Sequence, residues 1–334
     1  MDAQVRRRRW RGRGIGAMTR RRVLTLVPVL AAVSAALFAA AAVSPFDPLV
    51  GYLGARYEST SAADRALLTD QLGLDAPWYQ LYWHWAADLL TGNLGFSRSF
   101  GQPVSELLAQ RLPWTALLVV VGMSAAVAVA LGVGVWAGMH RGGTVDRLVA
   151  ATCVALQGLP PFVVSLGAIA LFAVGLGWLP PAGLTDAGAD AEFGQVARHL
   201  VLPAAALAVS QLPWLLLAVR ESVSDRRGED FVVGAATRGI DTSTITRRHI
   251  LPTSLAPFVT ILGVRLPEVV VGAVLVEEIF SWPGVAGAFV QSAKDLDMAL
   301  LAVLTIGTTC AVMLGSLLAD IAVVVLDPRV RADG

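Results

Sequence analysis

The feature that most constrains this chain is a set of six apolar stretches, each long enough to cross a bilayer as a helix. They are Val23–Val43, Thr115–Met139, Leu148–Leu176, Val201–Val219, Pro257–Phe280 and Ala299–Leu326. About 20 apolar residues in a helix cross the roughly 30 Å of hydrocarbon. No water is available there to satisfy an open backbone, so helices are the expected form. Composition agrees: hydrophobic residues make up 55 % of the 334 and charged ones 15 %, where a soluble domain carries about 25 %. The expected fold class is an all-α polytopic membrane protein with six transmembrane helices. The first run follows "TRRR", but it exceeds the 7–15 residues or so of a signal h-region, and it reads as a retained span.

Basic residues set the orientation, because cytoplasmic loops collect Lys and Arg. Nine lie between residues 6 and 22, two are Arg141 and Arg147, six lie between Arg220 and Arg248, and two are Arg329 and Arg331. The opposite side holds six, Arg56, Arg65, Arg98, Arg111, Arg198 and Lys294, while Arg265 falls inside the fifth span. Both termini are therefore expected in the cytoplasm. The chain divides into a basic N-terminal segment (1–22), the first span (23–43), an extracytoplasmic region (44–114), a core of five spans (115–326) with a cytoplasmic loop at 220–252, and a tail (327–334). The extracytoplasmic region carries Trp78, Tyr79, Tyr82, Trp83 and Trp85 at helical spacing, as expected of a helix lying along a membrane surface.

Several chemistries lack their residues. The only lysine, Lys294, follows Ala293, so there is no phosphate-binding loop ending in Gly-Lys and no ATPase site of that kind. The four histidines form no H-E-x-x-H and no G-x-S-x-G is present, so neither a zinc protease nor a serine hydrolase is indicated. No metal site is expected. Cys153 and Cys310 sit in apolar runs and read as small packed residues. A net charge of +1 gives no sign of nucleic-acid binding.

The largest inner loop is the informative one. Within "EDFVVGAATRGIDTSTITRRHILPTSLAPFV", Asp230 is placed to cap a helix carrying Gly234, Ala235 and Ala236. Gly239 permits the chain to turn. Thr242 or Ser243 can cap a second helix, and Pro252 is expected to interrupt before the fifth span. The product is a helix–turn–helix hook with a small-residue surface that another backbone can approach closely, or an ordinary amphipathic connector.

The stretch resembles the coupling loop of permeases from binding-protein-dependent ABC importers. In that register Val233, Gly234 and Ala235 stand at the E-A-A positions, Gly239 at the glycine, and His249, Leu251 and Pro252 at the ending; the motif's Glu and Ile are absent. The wording of the dipeptide/oligopeptide/nickel permease branch fits better, through Asp230, Phe231, Val232, Ala235 and Gly239. Further blocks resemble that branch in its order: "GNLGFSRSFGQPVSELLAQRLPWTALL", "HRGGTVDR", "GLPPFVVSL", "GWLPPAG", "HLVLPAAALA", "VEEIFSWPGVAGAFVQSAKDLD" and "LADIAVVVLDPRVR".

The resemblance implies the type I ABC importer permease fold, in a multi-pass protein of the bacterial cytoplasmic membrane. It implies a second homologous permease subunit, one or two ATPase subunits seated on the hook, and an extracytoplasmic substrate-binding protein. ATP and magnesium would be used by the ATPase subunits, with no cofactor bound by this chain and no nucleic-acid partner. Coupling falls to Asp230, Phe231, Val232, Ala235, Ala236, Gly239, Leu251 and Pro252. Polar or helix-breaking residues inside the spans are candidates for the pathway: Gln157, Pro160, Ser210, Gln211, Arg265, Glu268 and Glu277. Arg265 and Glu268, three apart on a helix, either neutralise each other or line the route. Glu277 stands before "FSWPG", where water near the outer surface is expected to solvate it. Peptides are the expected cargo, nickel chelates or another small solute the alternative. A scaffold or an intramembrane enzyme is the remaining reading. Gly134 and Gly138 form a G-x-x-x-G expected to pack against a neighbouring span.

Overall fold

The computed structural model describes residues 2–44, 49–71 and 76–326, with side chains described from Gly16 onward apart from residues 17, 51, 52, 55 and 256. The tail at 327–334, with Arg329 and Arg331, lies outside the described residues. Most of the described residues are helical. Helix α1 (Asp2–Ala42) is followed by α2 (Leu49–Leu53), α3 (Ala62–Gln71) and α4 (Trp78–Leu90). Two-residue strands β1 (Phe96–Ser97) and β2 (Gln102–Pro103) pair antiparallel, Phe96 opposite Pro103. Then come α5 (Val104–Met139), α6 (Thr144–Gln157), α7 (Pro161–Ala168), α8 (Phe193–Arg227), α9 (Asp230–Thr237), α10 (Thr242–Ile245), α11 (Leu251–Val264), α12 (Leu266–Ile279), α13 (Val285–Lys294) and α14 (Met298–Leu326).

Among the described residues, four helices are long and apolar enough to cross a membrane: Met18–Ala42 within α1, α5, α8, and Met298–Val325 within α14. Two bent pairs bring the number to six if each is one span. In each pair an apolar run expected as one transmembrane helix is two helices set at an angle. Leu148–Leu176 is broken between α6 and α7 by 105°. Pro161 drives its neighbour Pro160 out of the helical region, to φ −59°, ψ 145°. Pro257–Phe280 is broken between α11 and α12 by 53°. Pro267 has no N–H to donate back, and Arg265 at the joint has ψ −7°.

Two compact units are distinguished. The first comprises Met1–Val23, Ala116–Trp282 and Val312–Gly334. Helix α8 is its axis: 56 % of its apolar window is enclosed, the largest share of any single-helix span, and α6, α7, α11 and α12 all pack on it. Its core joins Ala126, Ala130, Cys153, Leu215, Val219, Val223 and Phe258. Glycines let α5 approach closely. A Cβ at Gly134 would stand 2.9 Å from Val219, and one at Gly138 would stand 2.7 Å from the Arg220 carbonyl oxygen. The G-x-x-x-G thus meets α8.

The second unit comprises Leu24–Thr115 and Pro283–Ala311. Val104, Leu107, Ala288, Leu300 and Leu304 form its core. Buried Asp297 accepts from the Ser97 hydroxyl at 2.6 Å and the Ser99 amide at 3.2 Å, pinning the small hairpin. On α4, Tyr82 and Trp85 lie against Phe38, with ring centroids 5.6 and 5.4 Å away. Trp78, Tyr79 and Trp83 stay exposed. One helix therefore has an aromatic inner face and an aromatic outer face.

Candidate functional site

The hook forms, with its details corrected. Helix α8 ends at Arg227, and an Arg226–Glu229 ion pair spans the joint to α9. Asp230 does not cap α9; it is the first helical residue, and Glu229 holds the extended position before it. A carboxylate in that first turn still favours the helix through the dipole. Gly239 has φ +79° and its N–H donates to the Ala236 carbonyl at 3.0 Å. A residue with a side chain is strained in that conformation, so the turn is built on the glycine. The second helix is capped by Asp241, whose carboxylate accepts from the Ser243 and Thr244 amides at 3.0 and 3.3 Å, rather than by Thr242 or Ser243. Pro252 does not interrupt either. Helical backbone continues from Thr242 through a π-turn at Thr246–Ile250 into α11, which Leu251 and Pro252 open.

The faces of α9 separate the coupling candidates. Val232 and Ala235 turn inward and pack with the cluster of Val223, Ile245 and Ile250. Phe231, Val233 and Ala236 are exposed. Val232 and Ala235 hold the hook to its stem, while the exposed three present its outward surface.

The pathway candidates fall into four places. Gln157 and Trp214 line a cavity of about 530 Å³ with Glu221, Asp225, Glu229 and Ile261. The Arg265 guanidinium lies 4.6 Å above the Trp214 ring and is paired with Glu268, as its i, i+3 spacing anticipated. The pair therefore neutralises itself while bordering that cavity through Trp214. Pro160 is exposed at the break before α7. Ser210 and Gln211 face α12 at Gly272, where a Cβ would stand 3.9 and 3.8 Å from their polar atoms. Gln211 is 3 % exposed and donates to the Ser210 hydroxyl at 3.2 Å. Glu277 is 1 % exposed, which corrects the expectation of a solvated carboxylate: the surrounding chain covers it. Trp214 stands in no motif that would mark it in the sequence, although it is the one aromatic of the Val201–Val219 run. Among the described residues no group of three or more His, Cys, Asp or Glu is placed to hold a metal.

The fold and site define a helical, multi-pass membrane protein with a helix–turn–helix hook. Residues 130–332 match the family of binding-protein-dependent transport system inner membrane components, and the chain belongs to that family. It is similar to the oligopeptide transport system permease protein AppB of Bacillus subtilis, 30 % identical over 93 % of this chain and 98 % of the relative. It is also similar to a probable peptide ABC transporter permease protein of Sinorhizobium fredii, 31 % identical over 95 % of this chain and 100 % of the relative. The glutathione transport system permease protein GsiC of Escherichia coli is 29 % identical, over 93 % of this chain and 97 % of the relative.

Proposed function

We propose that the chain is the permease subunit of a peptide ABC importer in the bacterial cytoplasmic membrane, forming half of the translocation route beside a second, homologous permease. The observation that carries this reading is the hook. A small-residue helix ends on a left-handed glycine, presents Phe231, Val233 and Ala236 outward, and stands directly on α8, the axis of its unit. One or two ATPase subunits seat there, hydrolysing ATP with magnesium; this chain supplies no catalytic group or cofactor. Six spans result when each bent pair counts as one, both termini are cytoplasmic, and a binding protein delivers cargo from outside. Relatives named for oligopeptide, peptide and glutathione transport support a peptidic cargo.

Transport of this kind breaks no bond in the cargo. ATP binding shifts the access equilibrium by favouring one state over the other, and a short stiff helix packed against α8 and joined to it across the Arg226–Glu229 ion pair can carry that preference into the bundle. The test is affinity purification from native membranes in mild detergent. An ATPase subunit and a second permease are expected to co-purify, with ATP hydrolysis in the eluate. A chain that purifies alone, or with partners lacking ATPase activity, would sink the proposal.

A further inference from the structure

Resting on the reading of the hook as an ATPase seat, we infer that Asp146 and Arg220 are positioning residues for energy coupling. Their ion pair fastens the inner turn between α5 and α6 to the stem of the hook, so that α8, the turn and the hook move as one lever. Arg220 donates through Nε and Nη2 to both carboxylate oxygens of Asp146, at 2.5 and 3.0 Å. This paired geometry is the strong and directional form of the contact. Asp146 is nearly covered, with a side chain 4 % exposed, and it also accepts from the Gly142 amide at 2.9 Å. Around that centre the turn is stitched to α8 twice more: Arg141 donates to the Ser224 hydroxyl at 3.0 Å, and Arg227 donates to the Met139 carbonyl. The hook's second helix reaches the same place, where the Thr246 hydroxyl meets the Met139 sulfur at 3.8 Å.

The clasp does something the packing beneath it does not. Gly134 and Gly138 already hold α5 tightly against α8, so these helices need no polar contact to stay together. The turn itself contains Gly142 at φ +82° and Gly143, and glycines leave its direction free. The ion pair removes that freedom ten residues before the hook begins. A displacement at α9 then reaches α6 through the clasp as well as through α8.

The test uses the whole complex of permeases, ATPases and binding protein in proteoliposomes, reading ATP hydrolysis with and without the transporter's own binding protein. For Asp146→Asn and Arg220→Gln the basal rate and the yield of complex stay within about twofold, while the stimulation falls at least about fivefold, the lower end of the range for a coupling free energy. Arg220→Lys keeps the charge but loses the paired geometry, so it assembles even where the others do not, and its stimulation falls by about half. Wild-type stimulation in an assembled Lys, Gln or Asn variant overturns the inference. So does a parallel loss of basal and stimulated rates in proportion to folded complex, which marks a contact that only stabilises. Failure of the functional reading looks different, because the wild-type complex would then show no stimulation at all.

Discussion

Gly239→Pro is expected to abolish transport while leaving the chain in the membrane at its normal level. Two independent conflicts meet at this position. Proline fixes φ near −65°, where Gly239 needs +79°. It also deletes the N–H that donates to the Ala236 carbonyl. Proline at an incompatible φ or at a bonded amide destabilises by more than the roughly 1 kcal/mol it gains elsewhere. The loss is local, because nothing approaches a Cβ at this exposed position within 4 Å, so the spans are untouched. What changes is the direction in which α10 leaves α9, and with it the surface proposed to seat the ATPase. Gly239→Asn is the control: asparagine tolerates left-handed backbone better than other residues with a side chain, so most transport is retained. Uptake and co-purified ATPase, normalised to membrane level, are the measurements. Normal uptake by the proline variant would remove the hook from coupling.

Gly138→Leu acts on the fold instead. The first atom of any side chain there lies 2.7 Å from the Arg220 carbonyl oxygen and 2.8 Å from the Val223 Cβ. These are backbone and branch-point atoms with no rotamer by which to withdraw, so α5 and α8 must move apart. Overpacking of this kind costs about 1–3 kcal/mol, occasionally more, and in a bundle centred on α8 it is expected to lower both the thermal midpoint in detergent and the amount of chain in the membrane. Gly132→Leu, on the same helix but with nothing within 4 Å of its Cβ, is expected to leave both unchanged. Equal midpoints for the two variants would contradict the close approach of α5 to α8.

How much of this was legible in the sequence depends on the kind of information involved. Span positions were legible because hydropathy is additive along the chain: α5, α8 and α14 contain the apolar runs that announced them. The Gly239 turn was legible because one residue type carries the conformation, and the Arg265–Glu268 pair because three residues along a helix fix a neighbour. The breaks at Pro160 and Arg265 were not, since an apolar run says nothing about direction, although the prolines that cause them were visible. The face of α9 was illegible for another reason. Eight residues are two turns, too few for Val232 and Ala235 to declare themselves inward by periodicity. Glu277 was misplaced because nearness to a span end says nothing about which chain covers it. Asp146 and Arg220 are 74 residues apart, and no local pattern pairs them.

If the hook seats the ATPase as proposed, this chain moves peptides only while ATP is hydrolysed there. The direct measurement is uptake of a radiolabelled oligopeptide by the purified complex in proteoliposomes, with ATP on the hook side and binding protein on the other, and a nickel chelate as the competing cargo. Peptide is expected to accumulate on the ATP side, to require both ATP and the binding protein, and to fail to accumulate with Gly239→Pro. Peptide movement that is indifferent to ATP, or steady ATP hydrolysis with nickel chelate but no peptide crossing the membrane, would contradict it.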